Sequence, residues 1–514
     1  MFVIDFYSFG TVVGLAFLVA VILTPVFRDM AGWIGLVDRP DGRRKHQAQA
    51  IPRAGGLAVF IAMFAGIAGL GLIGFDLREI FEVEPRLGSL LGAASIIAAV
   101  GFLDDAWGLR GRHKLLGQFL AISLMVFHGH LNIDSISLFG VQIEMGQFGV
   151  VIVYAWMIGI INAINLIDGM DGLLGLIGIL VCLCLAVIAV MIGNAYVAVV
   201  TLALAGALAG FLCFNLPPAT VYMGDCGSML IGLVIGSLAI QGSMKGPTAM
   251  TLAVPIAILI LPLLDTLAAI ARRKLTGRSI YTTDRGHLHH CLLRSGMRPP
   301  VVLMLVLILG LITSTGAIAT IVYRNDIYAF SAAAIVVVLL MATRLFGHAE
   351  FMLAKGKITA FLTGMRHRGR ADHSHQLEVR LQGSVKWQAV WEDLIAAALR
   401  HQLRAVWLNV NAPALHENYH ARWDRFGTQN HEDEPQEWKA EMPITVNGQV
   451  IGRVTAIGVC TNVPIWIVLQ HLAEMIKNTI RQVQNLTDHS TQSTPINEII
   501  VPVPATAKVV GVSS

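Results

Sequence analysis

Apolar residues run in long unbroken stretches through the first two thirds of the chain, punctuated by short polar segments. A helix needs about 17–25 apolar residues to cross a bilayer. Runs of that kind lie near 8–27, 56–75, 87–103, 114–131, 148–165, 173–193, 195–216, 227–242, 248–271, 300–323 and 327–346, the eighth being short. They predict a polytopic α-helical membrane protein with about 11 transmembrane helices and its two termini on opposite sides. Between the fourth and fifth runs, Asn132 to Gln147 alternates apolar and polar residues around Phe139-Gly140, which predicts a short hairpin.

After Phe346 the pattern changes to that of a soluble chain. The membrane domain therefore covers residues 1–347, a basic linker 348–376, a second domain 377–487, and a disordered tail 488–514. In the second domain, Leu377–Leu381 and Ala405–Asn411 read as strands flanking a helix at Trp387–Arg400. Trp438–Val459 reads as a hairpin turning at Asn447-Gly448, and Pro464–Leu486 as an amphipathic helix. This predicts a small cytosolic α/β or α+β C-terminal domain. It shows no catalytic constellation, and a regulatory or docking role is the expectation.

Composition agrees with the membrane reading: 55% of the 514 residues are hydrophobic and 14% charged, unlike a soluble globular chain. The net charge of +4 is modest, and no nucleic-acid partner is expected; its distribution says more. One set of interhelical loops carries Arg28, Arg39, Arg43, Arg44, Lys45, Arg53, Arg110, Arg112, Lys114, Arg272, Arg273, Lys274, Arg278, Arg285, Arg294 and Arg298. The opposite set carries Arg78, Arg86, Lys245 and Arg324. By the positive-inside rule the first set is cytoplasmic, which places the N-terminus outside and the C-terminal domain inside. No cleavable leader is expected, because Met1–Tyr7 lacks Lys and Arg and no small-residue cleavage site precedes Arg28. The six cysteines have neither zinc-site nor disulfide-framework spacing and read as small core residues.

The polar segments on the basic side carry the chemistry. Asn162, Asn165, Asp168 and Asp171 recur every three residues in NAINLIDGMDGLL, a spacing that would gather two amides and two carboxylates on roughly one side of a helix end. Asp104 and Asp105 close the third span, Asp225 stands in GDCGS, and HLHH supplies His287, His289 and His290. Ionisable residues at membrane helices usually mark a site. Five carboxylates without cysteine suit Mg²⁺ or Mn²⁺, with Arg43, Lys45, Arg53, Lys114 and Arg285 left to balance phosphate charge. Each motif alone has a plainer reading. Asp225 could be a turn aspartate, HLHH a zinc site or solvated loop, and the basic loop only an orientation signal. Asp265, near Pro262 in the ninth run, is left without a role.

Taken together and in order, DDxxGL with a following KLxxQ, NxxNxxDGxDGL, GDxGS and HxHH resemble the polyprenyl-phosphate N-acetylhexosamine-1-phosphate transferases. The branch resembled is the WecA/TagO-like one, and more distantly the MraY-like one. The resemblance spans about Val21 to Arg298 and the last two spans. It implies transfer of a sugar-1-phosphate, GlcNAc-1-phosphate first, from a UDP-N-acetylhexosamine to undecaprenyl phosphate. UMP is released, Mg²⁺ is required, and a lipid-linked cell-envelope glycan is initiated in the bacterial inner membrane. Carried over by position, Asp104 binds or deprotonates the lipid phosphate, with Asp105 its metal-side neighbour, and Asp225 is the principal Mg²⁺ ligand. Asn165, Asp168 and Asp171 support nucleotide and metal. His287, His289 and His290 face the diphosphate and uridine, and Lys114, Arg43, Lys45 and His46 bind substrate. The catalytic set is then Asp104, Asp105, Asp168 and His287, and the metal pair Asp225 and Asp105. Direct in-line attack is the expected route, a two-step path through an aspartyl phosphate its alternative. A homodimer is compatible with this reading. The rival classes are a multi-pass transporter, which would place its ionisable residues near the membrane midplane, and a membrane sensor with a cytosolic regulatory domain.

Overall fold

The computed structural model describes residues 6–34, 36–38, 50–73, 85–243, 249–275, 286–348, 375–382, 387–412, 417–424, 437–446 and 449–459, with a few single positions after 350. The chain divides into two units, Met1–Ala354 and Lys355–Ser514.

The first unit is helical. In chain order it contains α1 (Phe6–Ile34), β1 (Val37–Asp38), β2 (Ile51–Pro52), α2 (Gly55–Ala68), α3 (Pro85–Trp107), α4 (Gly111–Phe127), β3 (Ser135–Leu138), β4 (Val141–Glu144), α5 (Phe148–Ile167), α6 (Leu173–Ile192), α7 (Ala195–Asn215), α8 (Gly224–Gln241), β5 (Ala249–Thr251), α9 (Ala253–Ile258), α10 (Ile260–Leu275), α11 (Leu288–Arg294), α12 (Pro299–Tyr323) and α13 (Ile327–Ala342). Among the described residues, eight helices are long and apolar enough to cross a membrane: α1, α2 with its 3₁₀ extension, α3, α5, α6, α7, α8 and α12. This is a multi-pass membrane protein.

Helix α8 is the axis of the unit, since every residue from Cys226 to Gln241 is buried. Its sequence explains how. Burial in lipid gives apolar helices no preference for one another, so close packing at small residues decides which faces meet. Gly227 lies so near Gly56 of α2 that a Cβ on Gly56 would sit 2.2 Å from the Gly227 nitrogen. A Cβ on Gly101 of α3 would meet Cys226 Cα at 2.4 Å, and one on Gly232 would meet Ile161 Cα of α5 at 2.7 Å. Three helices are thereby pressed, backbone to backbone, along the first half of α8.

The hairpin foreseen around Phe139-Gly140 forms: β3 and β4 pair antiparallel, and both turn residues take positive φ, 50° and 84°. The ninth apolar run differs from expectation. It opens as strand β5, which pairs in parallel with β3, and its helix is interrupted at Leu259 between α9 and α10. The open edge of β3 draws the start of that run out of helix.

In the second unit, β6 (His375–Gln382), α14 (Trp387–Arg400), β7 (Ala405–Ala412), β8 (Glu417–Asp424), β9 (Glu437–Val446) and β10 (Gln449–Val459) make an antiparallel sheet of order β6-β8-β7-β10-β9 with α14 beside it. Trp387, Trp391 and Leu394 of α14 share a core with Val406, Leu408, Tyr419, Trp423 and Val454. Strand β8 was not foreseen, although Tyr419, Ala421 and Trp423 are buried at the period of two that marks a strand. The turn at 447–448, the linker from 352 to 374, and nearly all of 460–514 lie outside the described residues.

Candidate active site

The N-terminus of α8 organises the site. Its first amides have no partner within the helix. Two of them, those of Asp225 and Cys226, donate to the Asp105 carboxylate, at 3.0 Å to Oδ1 and 3.1 Å to Oδ2. Gly224 makes the turn possible: its φ is +73°, and a Cβ there would lie 2.6 Å from Asp105 Oδ2. Helix α3 runs on to Trp107, so Asp104 and Asp105 lie in its last turn rather than after it. Two carboxylates there oppose the helix dipole. The amides of α8 offset one of them, and a lysine offsets the other.

That lysine is Lys114, from the first turn of α4. Its Nζ lies 2.5 Å from Asp104 Oδ2 and 2.5 Å from Asp225 Oδ2. Asp104 Oδ1 also accepts the Leu109 amide at 2.7 Å, which folds the short link between α3 and α4. Asn165 of α5 donates to Asp225 Oδ1 at 3.1 Å and to Ser228 Oγ at 2.8 Å. Two polar stretches far from GDxGS in the chain, through Lys114 and Asn165, therefore converge on the single carboxylate of Asp225.

The NxxNxxDGxDGL repeat does not keep its side chains on one side. Helix α5 ends at Ile167, and Asp168 leaves the helical region at ψ 54°. Asn162 faces Gln118 of α4, donating to Oε1 at 2.9 Å, while Asn165 faces Asp225. Asp171, past the break, accepts the Ala219 amide at 3.0 Å. Asn215 reinforces that tie, accepting from the Gly172 amide at 3.0 Å and donating to the Val221 carbonyl at 2.8 Å. Gly172, at φ +76°, supplies the backbone reversal into α6. The repeat thus joins three neighbours instead of one.

Asp168 is left with no hydrogen-bond partner among the described residues. Burial, then the nearby charges of Asp225 and Asp105, push its carboxyl up to about 7, against the opposing pull of Arg53. Arg53 bridges Tyr222 in parallel just before α2, whose first amides, those of Gly55 and Gly56, donate to the Tyr222 and Met223 carbonyls at 3.0 and 2.9 Å, and it pairs with Asp38. Arg43, Lys45, His46 and Arg285 lie outside the described residues.

The histidines enter on α11. His289 packs on the turn after α5: a Cβ on Gly169 would lie 2.4 Å from its Nε2. Burial, then the neighbouring His290 and His287, drop its pKa to about 2, so this ring is neutral. The rings of His287 and His289 lie nearly parallel, 6.1 Å apart, and those of His289 and His290 are 4.2 Å apart. Asp265 of α10, given no role from the sequence, bonds His287 Nδ1 at 3.0 Å. A carboxylate inside an apolar run was signal enough to notice it; its partner, 22 residues on, was not readable. Asn215 likewise carried no sequence signal of its tie to Gly172.

Carboxylates at the ends of α3 and α8, a lysine that bridges them and the histidines of α11, where His289 packs on the turn after α5, form one polar cluster at the ends of membrane helices. The glycosyl transferase family 4 model matches residues 87–243, which include Asp104, Asp105, Lys114, Asn165, Asp168, Asp171 and Asp225. The chain is 34% identical over 303 residues to a probable undecaprenyl-phosphate N-acetylglucosaminyl 1-phosphate transferase of Bacillus subtilis, covering 59% of this chain and 82% of that one. It is 34% identical over 325 residues to a decaprenyl-phosphate N-acetylglucosaminephosphotransferase of Mycolicibacterium smegmatis (57% and 79%). It is 30% identical over 319 residues to an undecaprenyl-phosphate alpha-N-acetylglucosaminyl 1-phosphate transferase of Haemophilus influenzae (60% and 86%). The chain belongs to this family of polyprenyl-phosphate sugar-1-phosphate transferases.

Proposed function

We propose that the protein transfers GlcNAc-1-phosphate from UDP-GlcNAc to undecaprenyl phosphate and releases UMP, the step that initiates a lipid-linked envelope glycan. The observation that carries this reading is the Lys114 bridge between Asp104 and Asp225, which joins an acceptor-type carboxylate to a cation-type carboxylate at one point. An oxygen of the lipid phosphate attacks the sugar-proximal phosphorus in line; the bond from that phosphorus to the bridging oxygen breaks, and UMP departs with the electron pair. Asp104 orients the acceptor. Lys114 offsets charge on the phosphates, and the neutral His289 shapes the wall beside Asp168.

A Mg²⁺ ion suits the donor set. Mg²⁺ takes one or two carboxylates and completes its shell with phosphate oxygens and water. The carboxylates of Asp104 and Asp225 already converge on one cationic group, and Asp168 has free lone pairs. Among the described residues, no group of three His, Cys, Asp or Glu side chains forms a ready-made cage. Asp225 and Asp168 would hold the ion, and Asp105, whose two oxygens take backbone amides, would set Asp225 in place. The ion would neutralise charge developing on the diphosphate.

Eleven crossings remain our reading. Helices α4 and α13, together with the interrupted α9–α10 pair, would add three to the eight long apolar helices. The excess of Arg and Lys in one set of loops supports a cytoplasmic active site and C-terminal unit in the bacterial inner membrane. The test is UMP release by the purified protein from a panel of UDP-sugars, with and without undecaprenyl phosphate and Mg²⁺. Release that ignores the lipid would overturn the assignment, and full activity of Asp225→Asn would remove Asp225 as metal ligand.

A further inference from the structure

Asp265 is a carboxylate in the middle of an apolar helix, its side chain only 1% exposed. Burying it is costly unless its oxygens are hydrogen-bonded, and both are. Oδ2 lies 3.0 Å from His287 Nδ1, and Oδ1 accepts the Leu288 amide at 2.8 Å. His287 is the residue that precedes α11, so one carboxylate holds both the imidazole and the first turn of the helix that carries the other two histidines.

We infer that Asp265 is a positioning residue for the transferase site: it holds His287 with the proton on Nδ1 and so presents Nε2 as the nitrogen that meets the nucleotide donor. An ionised carboxylate can only accept hydrogen bonds, so the nitrogen facing it must carry the hydrogen. The other nitrogen is thereby fixed in identity and direction. Among the described residues Nε2 of His287 has no hydrogen-bond partner; its side chain keeps 9% exposure, whereas both ring nitrogens of His289 are buried. The ring lies nearly parallel to His289, which rests on Gly169 beside Asp168. Helix α10 also packs against α5, the helix that supplies Asn165. Asp265 therefore sets α11 against the turn that carries the unpartnered carboxylate.

The inference rests on the transferase reading for its kinetic part and on the protein alone for its spectroscopic part. The full-length protein is labelled with ¹⁵N-histidine, and the His287 signals are identified by their loss in His287→Gln. The wild-type ring should carry its hydrogen on Nδ1. In Asp265→Asn the amide oxygen can still cap Leu288, but the NH₂ group now faces the ring, so the hydrogen should move to Nε2. UMP release should fall about tenfold or more in kcat/KM, the low end of the loss when a metal-ligating histidine loses its orienting partner. Asp265→Asn combined with His287→Gln should be no slower than His287→Gln alone, because both changes act through one ring. A wild-type ring with its hydrogen on Nε2 would overturn the inference, as would an Asp265→Asn enzyme of unchanged turnover. Losses that multiply in the double variant would overturn it too. Should the wild-type enzyme release no UMP from any UDP-sugar, the transferase reading falls, while the ring spectrum still decides the role of Asp265.

Discussion

Asp105 and Asp225 stand in adjoining helices so that the carboxylate of the first accepts the backbone amide of the second, with Oδ1 3.0 Å from its nitrogen. One residue of the Asp pair thus fixes the helix that presents Asp225, while its neighbour Asp104 faces the lysine.

Asp105→Asn should separate these duties. An amide offers one acceptor where two amides now donate, leaving one N–H of α8 facing an NH₂ group. A buried unsatisfied donor costs about 1–3 kcal/mol. We expect a lower Tm in detergent together with a large loss of UMP release, whereas Asp104→Asn should lose activity with a smaller change in Tm. Equal thermal effects would remove the tether role.

Lys114→Met should be inactive, because Asp104 and Asp225 then face each other without a cation. The variant should also gain more thermal stability from added Mg²⁺ than the wild type does, since the ion replaces the missing charge. A Tm response to Mg²⁺ equal to wild type would count against ammonium and ion sharing the Asp225 carboxylate.

The Asp168 carboxyl, raised to about 7, gives the metal-free protein a defined pH response. Its unfolded-state value is about 3.9, so between about pH 4 and pH 7 the folded chain binds more protons than the unfolded one, and stability falls as pH rises. In chelator, Tm should decline across that window. Asp168→Asn should flatten the decline, as should Mg²⁺. A slope that survives in Asp168→Asn would assign the effect to another group.

Gly56→Val should cost the fold itself. Its Cβ would lie 2.2 Å from the Gly227 nitrogen, and neither backbone can yield without parting α2 from α8. Expression in membranes and detergent Tm should both drop. Gly169→Ala is the contrasting case: the methyl meets a histidine ring, His289 Nε2 at 2.4 Å, so activity should fall more than stability.

Much of this was legible in the sequence. The apolar runs located the long helices, and the order of the motifs pointed to one site. Periodicity failed where the helix stopped: the three-residue spacing of Asn162 to Asp171 looks like one face only if α5 continues, and it ends at Ile167. Strand β5 was hidden because its residues are apolar and abut an apolar helix; its pairing depends on β3, more than a hundred residues earlier. Asp265 was visible as an oddity, but its role depends on a histidine from another segment. Local pattern reads elements well, and partners only when the motif itself names them.

The ammonium held between Asp104 and Asp225 has an implication for the order in which ligands arrive. A bare divalent ion would have to compete with that group for Asp225, whereas an ion bound to a nucleotide sugar brings phosphates onto which the displaced amine can move. Metal and donor should therefore load as a joint cargo: the apparent Mg²⁺ affinity should be weak in isolation and climb with UDP-sugar concentration.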